Sequence, residues 1–291
     1  MEKIKSYYSL TKPGVMYGNA LTAIAGFLLA ASYTKRFSFG LFIASTFGLA
    51  LIISAACALN NYLDRDIDSR MERTKKRASV TGKVSPAGNL VFAIVLAVIS
   101  LVVLAAWTNW LTTIIALVGF VDYVWLYGAW AKRRTHHGTL VGSVSGAAPI
   151  LAGYCAVTNH IDIGAILAFL ILFFWQMPEF YSISIYRRTE YAAARVPVIS
   201  VVKGVQNTKT QIFIYTLAYV VCTLLLTIFG YAGWVYFVIM AALGSYWLGL
   251  GYRGLKTKPK DDDVWARRMF RFSMITILVL CIMLAIGPLL P

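Results

Sequence analysis

Three oxygen-bearing side chains, Asn60, Asp64 and Asp68, recur at every fourth position where a long apolar run gives way to charge. They sit in the segment Asn60-Asn61-Tyr62-Leu63-Asp64-Arg65-Asp66-Ile67-Asp68-Ser69-Arg70-Met71-Glu72-Arg73-Thr74. If the helix continues, these positions share one face. Carboxylates at that spacing repel and weaken an isolated helix. The pattern therefore calls for a divalent cation, or for a lattice of salt bridges with the interleaved arginines. An oxygen-only ligand set suits Mg²⁺, which takes one or two carboxylates, keeps some waters and accepts phosphate oxygens. Arg73, Lys75, Lys76 and Arg77 follow at once and offer donors to an anionic phosphate group. The plainer reading is a solvated helix beside a membrane whose mixed charges pair.

Other polar residues interrupt the apolar runs. Tyr127, Lys132 and Arg133 close one run, as an aromatic anchor with snorkelling cations would. Trp175, Gln176, Pro178 and Glu179 close another, and Pro178 removes a backbone donor, which should distort that helix. Glu190 follows. Asp122 lies mid-run, and an acid there is either functional or a hydrogen-bonded structural group. His136 and His137 point apart if helical and make a poor metal pair. Asp261 to Asp263 read as a solvated loop. Cys57, Cys155, Cys222 and Cys281 lie in apolar runs without metal-ligand spacing and read as small buried hydrophobes.

The elements that must position these groups follow from composition. The 291 residues are 59% hydrophobic and 13% charged, with mean hydropathy +0.70. So little charge cannot clothe a water-facing surface, so a bilayer must cover part of it. The net charge of +15 is confined to short loops beside apolar runs, which argues for membrane topology and against nucleic acid. Apolar runs at about 15–33, 39–59, 88–107, 110–130, 139–158, 162–184, 211–230, 232–252 and 270–290 each suit a helix of the ~20 residues a bilayer needs. The expectation is an all-α, polytopic membrane protein of about nine helices. Long polar loops at about 60–87, 131–138, 185–210 and 253–269 alternate with short connections. Of all Lys and Arg, only Lys35 and Arg36 fall on the opposite side. By the positive-inside rule the N-terminus and long loops are cytoplasmic and the C-terminus faces outward. The first run is too long for a signal peptide and lacks a clear cleavage site, so it is expected to be retained.

NxxxDxxxD at the end of the second of nine helices resembles the UbiA-type intramembrane prenyltransferases. The fuller string NNYLDRDIDSRMERTKKR is similar to their haem-modifying branch, the protohaem IX farnesyltransferases. TKPGVMYGN at 11–19, KRRTHHGTLVGSVSGAAPILAGYCAVT at 132–158, WQMPEFYSISIYRR at 175–188 and VPVISVVKG at 196–204 extend the resemblance over nearly the whole chain. GTLVGSVSGAAP and WQMP are specific to that branch. The resemblance implies one transmembrane prenyltransferase domain over 1–291, its central pocket open toward the cytoplasm. It implies transfer of farnesyl from farnesyl diphosphate to a vinyl group of protohaem IX, giving haem O, in the inner membrane and among membrane lipid. A haem-oxidase assembly pathway is the implied partner. Asn60, Asp64, Asp68 and Glu190 would hold Mg²⁺. Asp64, Asp68, Arg73 and Glu179 would act in catalysis, and Arg77, Tyr127, Lys132, Arg133, Gln176, Arg187 and Lys203 would contact substrate. Candidate aromatic faces for an allylic cation are Tyr7, Tyr62, Tyr127, Trp175 and Phe180. The small residues Gly138, Gly142, Ser145, Gly146, Ala147 and Ala148 would either pack helices closely or bring backbone near a planar substrate. The chain departs from the pattern at Glu179, where His is usual, at Glu190, where Asp is usual, and at Ala78, often Pro. The first departure puts any His-based role in doubt. Two rivals are a related enzyme acting on a quinone-precursor ring and a secondary transporter. Transporters place functional charge near the midplane on broken helices, whereas here nearly every charge except Asp122 lies at or beyond a helix end.

Overall fold

The structure, a computed structural model, describes residues 2–291. In chain order the helices are α1 (Glu2–Leu10), α2 (Pro13–Thr34), α3 (Phe39–Leu63), α4 (Arg65–Arg70), α5 (Pro86–Trp107) and α6 (Trp110–Val121). A π-helical segment (Asp122–Ala131) and α7 (Lys132–Arg134) continue α6. There follow α8 (Gly138–Thr158), α9 (Ile163–Tyr186), α10 (Arg188–Ala193), α11 (Ile199–Val202), α12 (Gly204–Ile228), α13 (Trp234–Leu255) and α14 (Asp262–Ile286). Among the described residues, nine helices are long and apolar enough to cross a membrane, with α6 to α7 counted as one. The seventh, α12, begins several residues earlier than its apolar run suggests, and α14 likewise includes polar residues at its start.

The exposed surface of α5 shows why a bilayer must surround the bundle. Val91, Val95, Val98 and Val102 repeat at helical spacing and are all exposed. The opposite side buries Ser100 and Leu104 against α3, where Ser100 Oγ donates to the Gly48 carbonyl at 2.7 Å. Inside the bundle, α2 and α8 meet backbone to backbone. A Cβ on Gly26 would lie 2.0 Å from the Ile150 carbonyl oxygen, and one on Gly153 would lie 2.0 Å from that of Ala23. Glycine permits this approach, on which helix pairs in lipid rely because no hydrophobic effect drives them together. Helix α9 packs on α8, α12 and α14, whereas α3 packs mainly on α5 and α2, so the two come from different sides of the bundle. It runs unbroken through Pro178, contrary to the expected distortion. All four cysteines are free and buried.

Of the acidic run at 261–263, Asp261 and Asp263 are exposed as expected, but Asp262 is not solvated. Asp262 opens α14, is buried, and pairs with buried Lys209 of α12 at 2.5 Å. Lys209 also donates to the Thr257 carbonyl at 3.0 Å and lies over the Trp265 ring. The extra polar turns of α12 and α14 bring these charges together, and pairing is what makes their burial tolerable.

Candidate active site

The polar stripe bends but stays in line. Asp64 caps α3 with φ −87° and ψ 7°, and α4 starts at the next residue. The Asp64 amide still donates to Asn60, and the Asp68 amide to Asp64, so i→i+4 bonding crosses the junction. Asn60, Asp64 and Asp68 therefore share a face, all three are buried, and all three line one cavity of ≈ 540 Å³.

Each acid is met by a cation. Lys132 donates to Asp64 Oδ2, and Arg77 donates to Asp68 Oδ2 at 2.6 Å. Lys12 donates to Asn60 Oδ1. Lys12, Arg73, Arg77 and Lys132 all line the cavity beside the stripe. Lys12 sits in left-handed backbone (φ 48°) between α1 and α2, a turn that folds α1 back so that Asn61 Nδ2 reaches the Leu10 carbonyl at 2.7 Å. Its burial pushes the ammonium down to about 8.

The π-helical segment supplies the next wall. Tyr123 and Tyr127 line the cavity with ring centroids 5.7 Å apart. Its Gly128 packs against Asn60, whose Nδ2 lies 3.3 Å from where a Cβ would stand. Across α8, Gly142 leaves room for the Tyr127 ring, since a Cβ there would lie 2.8 Å from it. Gly146 leaves room for Gln176, whose Oε1 would be 1.9 Å from an added Cβ. Gln176 Nε2 donates to the carbonyls of Ser143 and Leu172 at 3.1 and 3.0 Å. Most of the remaining lining is apolar and includes Leu49, Ile52, Ile53, Ala116, Leu172 and Ile277. Asp122 is buried just beyond this wall, where Oδ2 accepts the Ser145 amide at 3.0 Å, a structural bond.

Of the residues singled out from the sequence, Asn60, Asp64, Asp68, Arg73, Arg77, Tyr127, Lys132, Gln176 and Glu179 line the cavity together. Four others do not. Arg133 turns to Asp66, with two contacts of 2.8 Å, and to the Leu63 carbonyl, and it holds the Asp66 carboxyl down to about 2. Arg187 and Glu190 pair with each other at 2.9 Å, while Lys203 caps α11. Trp175 and Phe180 line the cavity, but Tyr7 packs on Phe92 and Tyr62 lines a separate shallow hollow. Lys12, Tyr123, His136 and Tyr191 line the cavity without having been singled out for it. None of the four carried a local signal; Lys12 stands before Pro13 and the first apolar run, and only the turn there brings it to the cavity.

The residues fit a hard divalent cation. Two carboxylates and an amide oxygen converge, and buried Asp64 Oδ1 accepts no hydrogen bond. Among the described residues, however, no three His, Cys, Asp or Glu side chains gather into a metal-holding cluster. Further ligands must come from water or from substrate phosphate.

The model of the UbiA prenyltransferase family matches residues 19–288. A curated protoheme IX farnesyltransferase of Yersinia enterocolitica is 45% identical over 97% of this chain and 94% of its own. One of Photorhabdus laumondii is 44% identical over 99% of this chain and 97% of its own. A solved structure concerned with digeranylgeranylglyceryl phosphate synthase superposes with a TM-score of 0.82 at 17% identity, covering 99% of both chains. A UbiA homolog from Archaeoglobus fulgidus, bound to DMAPP and Mg²⁺, gives 0.71 at 13% identity over 94% of this chain and 99% of its own.

Proposed function

Because this chain belongs to the UbiA prenyltransferase family, we propose that it transfers farnesyl from farnesyl diphosphate to a vinyl group of protohaem IX, giving haem O. The observation that carries this reading is a single membrane-embedded cavity, polar and cationic at one end and apolar beyond, in a chain so similar to curated protoheme IX farnesyltransferases. The whole chain, 1–291, acts as one transmembrane prenyltransferase domain. Its loop-rich end faces the cytoplasm, its C-terminus lies outside the inner membrane, and a haem-oxidase assembly pathway takes the product. The one-sided distribution of Lys and Arg supports that orientation.

A prenyl diphosphate ionises readily only if the charge of the leaving group is neutralised as it develops. Lys12, Arg73, Arg77 and Lys132 face the space where a diphosphate would sit, and they neutralise and orient it. Asn60, Asp64 and Asp68 would hold Mg²⁺, which when bound supplies Lewis-acid stabilisation of the departing oxygens. Lys132 and Arg77 are then free to turn from their carboxylates toward the phosphates. Glu190 with Arg187 stays a neighbouring pair, available to a second ion. The allylic cation is kept from water by the apolar lining, and Tyr123, Tyr127 and Trp175 present aromatic faces to it. Gln176, fixed by two carbonyls, holds the cavity wall against Gly146.

An acceptor screen tests the reading. Detergent-purified protein with farnesyl diphosphate and Mg²⁺ should modify protohaem IX and leave aromatic ring acids untouched. Prenylation of a ring acid alone would keep the family chemistry and remove the haem assignment.

A further inference from the structure

The acids around the cavity are not alike. Asp64, Asp66 and Asp68 each meet a Lys or Arg. Glu179 is also buried, at 8% exposure, and lines the same cavity, yet it makes no hydrogen bond or ion pair with any described residue. A buried carboxyl without a partner is costly, and such groups are rare unless they serve a ligand. It projects from α9, one turn beyond Gln176, on a helix other than the segments that carry Lys12, Arg73, Arg77 and Lys132, and Met274 and Ile277 of α14 line the same cavity. It is the one cavity-lining acid placed away from the diphosphate-binding cations.

Resting on the haem O reading above, we propose that Glu179 is the proton acceptor that lets water add after the farnesyl group has joined the vinyl carbon. Farnesyl C1 loses diphosphate and bonds to the terminal vinyl carbon, which leaves positive charge on the vinyl carbon next to the porphyrin ring. A water oxygen bonds to that carbon, and one of its protons passes to the Glu179 carboxylate and then to solvent. The vinyl π pair makes the new C–C bond, a water lone pair makes the C–O bond and Glu179 gains an O–H bond, while the farnesyl C–O bond, the vinyl π bond and one water O–H bond break, so no oxidant is needed. Separation of Glu179 from Asp64 and Asp68 suits this division of labour. A free base beside the diphosphate would be neutralised by Lys132 and Arg77, while a base among apolar side chains stays available to the one water admitted there. Without that acceptor, the cation relaxes by losing a carbon-bound proton, giving a farnesylated haem lighter by one water.

The test compares wild type with Glu179→Gln and Glu179→His, measuring pyrophosphate release and haem products in one reaction by mass spectrometry. For Glu179→Gln we expect pyrophosphate release within a few-fold of wild type. The hydroxylated product should fall by about 10²-fold, the lower end for loss of a general base, and the lighter product should replace it. Glu179→His should restore hydroxylation with a displaced pH profile. An unchanged product ratio in Glu179→Gln would leave Glu179 as wall packing, and parallel loss of pyrophosphate release and product would move it to the ionisation step. Either result overturns the proposal. If Glu179→Gln does not accumulate in the membrane, the His variant decides alone, and a wild-type pH profile there also overturns it. Failure of the wild type to modify haem at all would instead remove the parent reading.

Discussion

Asp68 is tied to Arg77 and Asp64 to Lys132, with Arg133 3.7 Å from Asp64 Oδ1, and that oxygen accepts no hydrogen bond, so both acids keep capacity for a metal. Asp64→Asn and Asp68→Asn proteins that insert normally should lose about 10²-fold or more in turnover, the usual cost of removing a group that stabilises transition-state charge. Near wild-type turnover would refute their role. Lys12→Met should raise KM for farnesyl diphosphate about tenfold, the effect expected of one phosphate contact of about 1.4 kcal/mol, with little change in protein yield. Steady-state kinetics at fixed haem would read it. The carboxylates were legible from the sequence because helical spacing of four survives even the kink at Asp64. Lys12 was not, because its place depends on a left-handed turn that brings residues about fifty positions apart together. Arg133, Arg187 and Glu190 looked equivalent to their neighbours in the sequence. Local pairing (Arg133 with Asp66, Arg187 with Glu190) holds them off the cavity wall.

Helices α2 and α8 touch through glycine, and here a side chain has nowhere to go. Gly153→Val should lower the midpoint of thermal unfolding in detergent, with overpacking of about 1–3 kcal/mol or more because the clash is with backbone. An unchanged midpoint would contradict the close crossing. The pair joining α12 to α14 makes a second case: Lys209→Met strands a buried carboxylate and should cost about 3–5 kcal/mol, whereas Lys209→Met with Asp262→Leu should recover most of it. Equal destabilisation of the single and double variants would contradict the pairing. Nine helices were readable from apolar length alone, and their ends agree to within a few residues except where polar turns extend α12 and α14. The π-helical stretch was invisible, since Asp122–Ala131 carries the same apolar, aromatic composition as an ordinary span. It matters because it places Tyr123 and Tyr127 together on the cavity, and such segments often occur at functional sites.

The bundle encloses one large cavity whose cationic end lies where the long basic loops begin, between α3, α4 and α7. The orientation proposed from charge predicts that a reporter active only in the cytoplasm is silent at the C-terminus and active in the 60–87 loop; the reverse pattern would invert the topology. The sequence carried the fold class and the polar end of the cavity, because apolar length and helical periodicity are local signals. The far wall had no local signal of that kind: Gln176 and Glu179 were named through the resemblance alone, and α9 is set in place by packing on α8 and α14. The central claim joins these parts: the oxygen-bearing stripe and its cations ionise a prenyl diphosphate inside a cavity that also admits haem. The most direct test supplies purified protein in detergent or liposomes with farnesyl diphosphate and protohaem IX, with Mg²⁺ or with chelator, and reads haem by mass spectrometry. A Mg²⁺-dependent gain equal to farnesyl plus hydroxyl, abolished by chelator, is the predicted result. Folded protein that consumes no prenyl diphosphate with any acceptor would contradict the account.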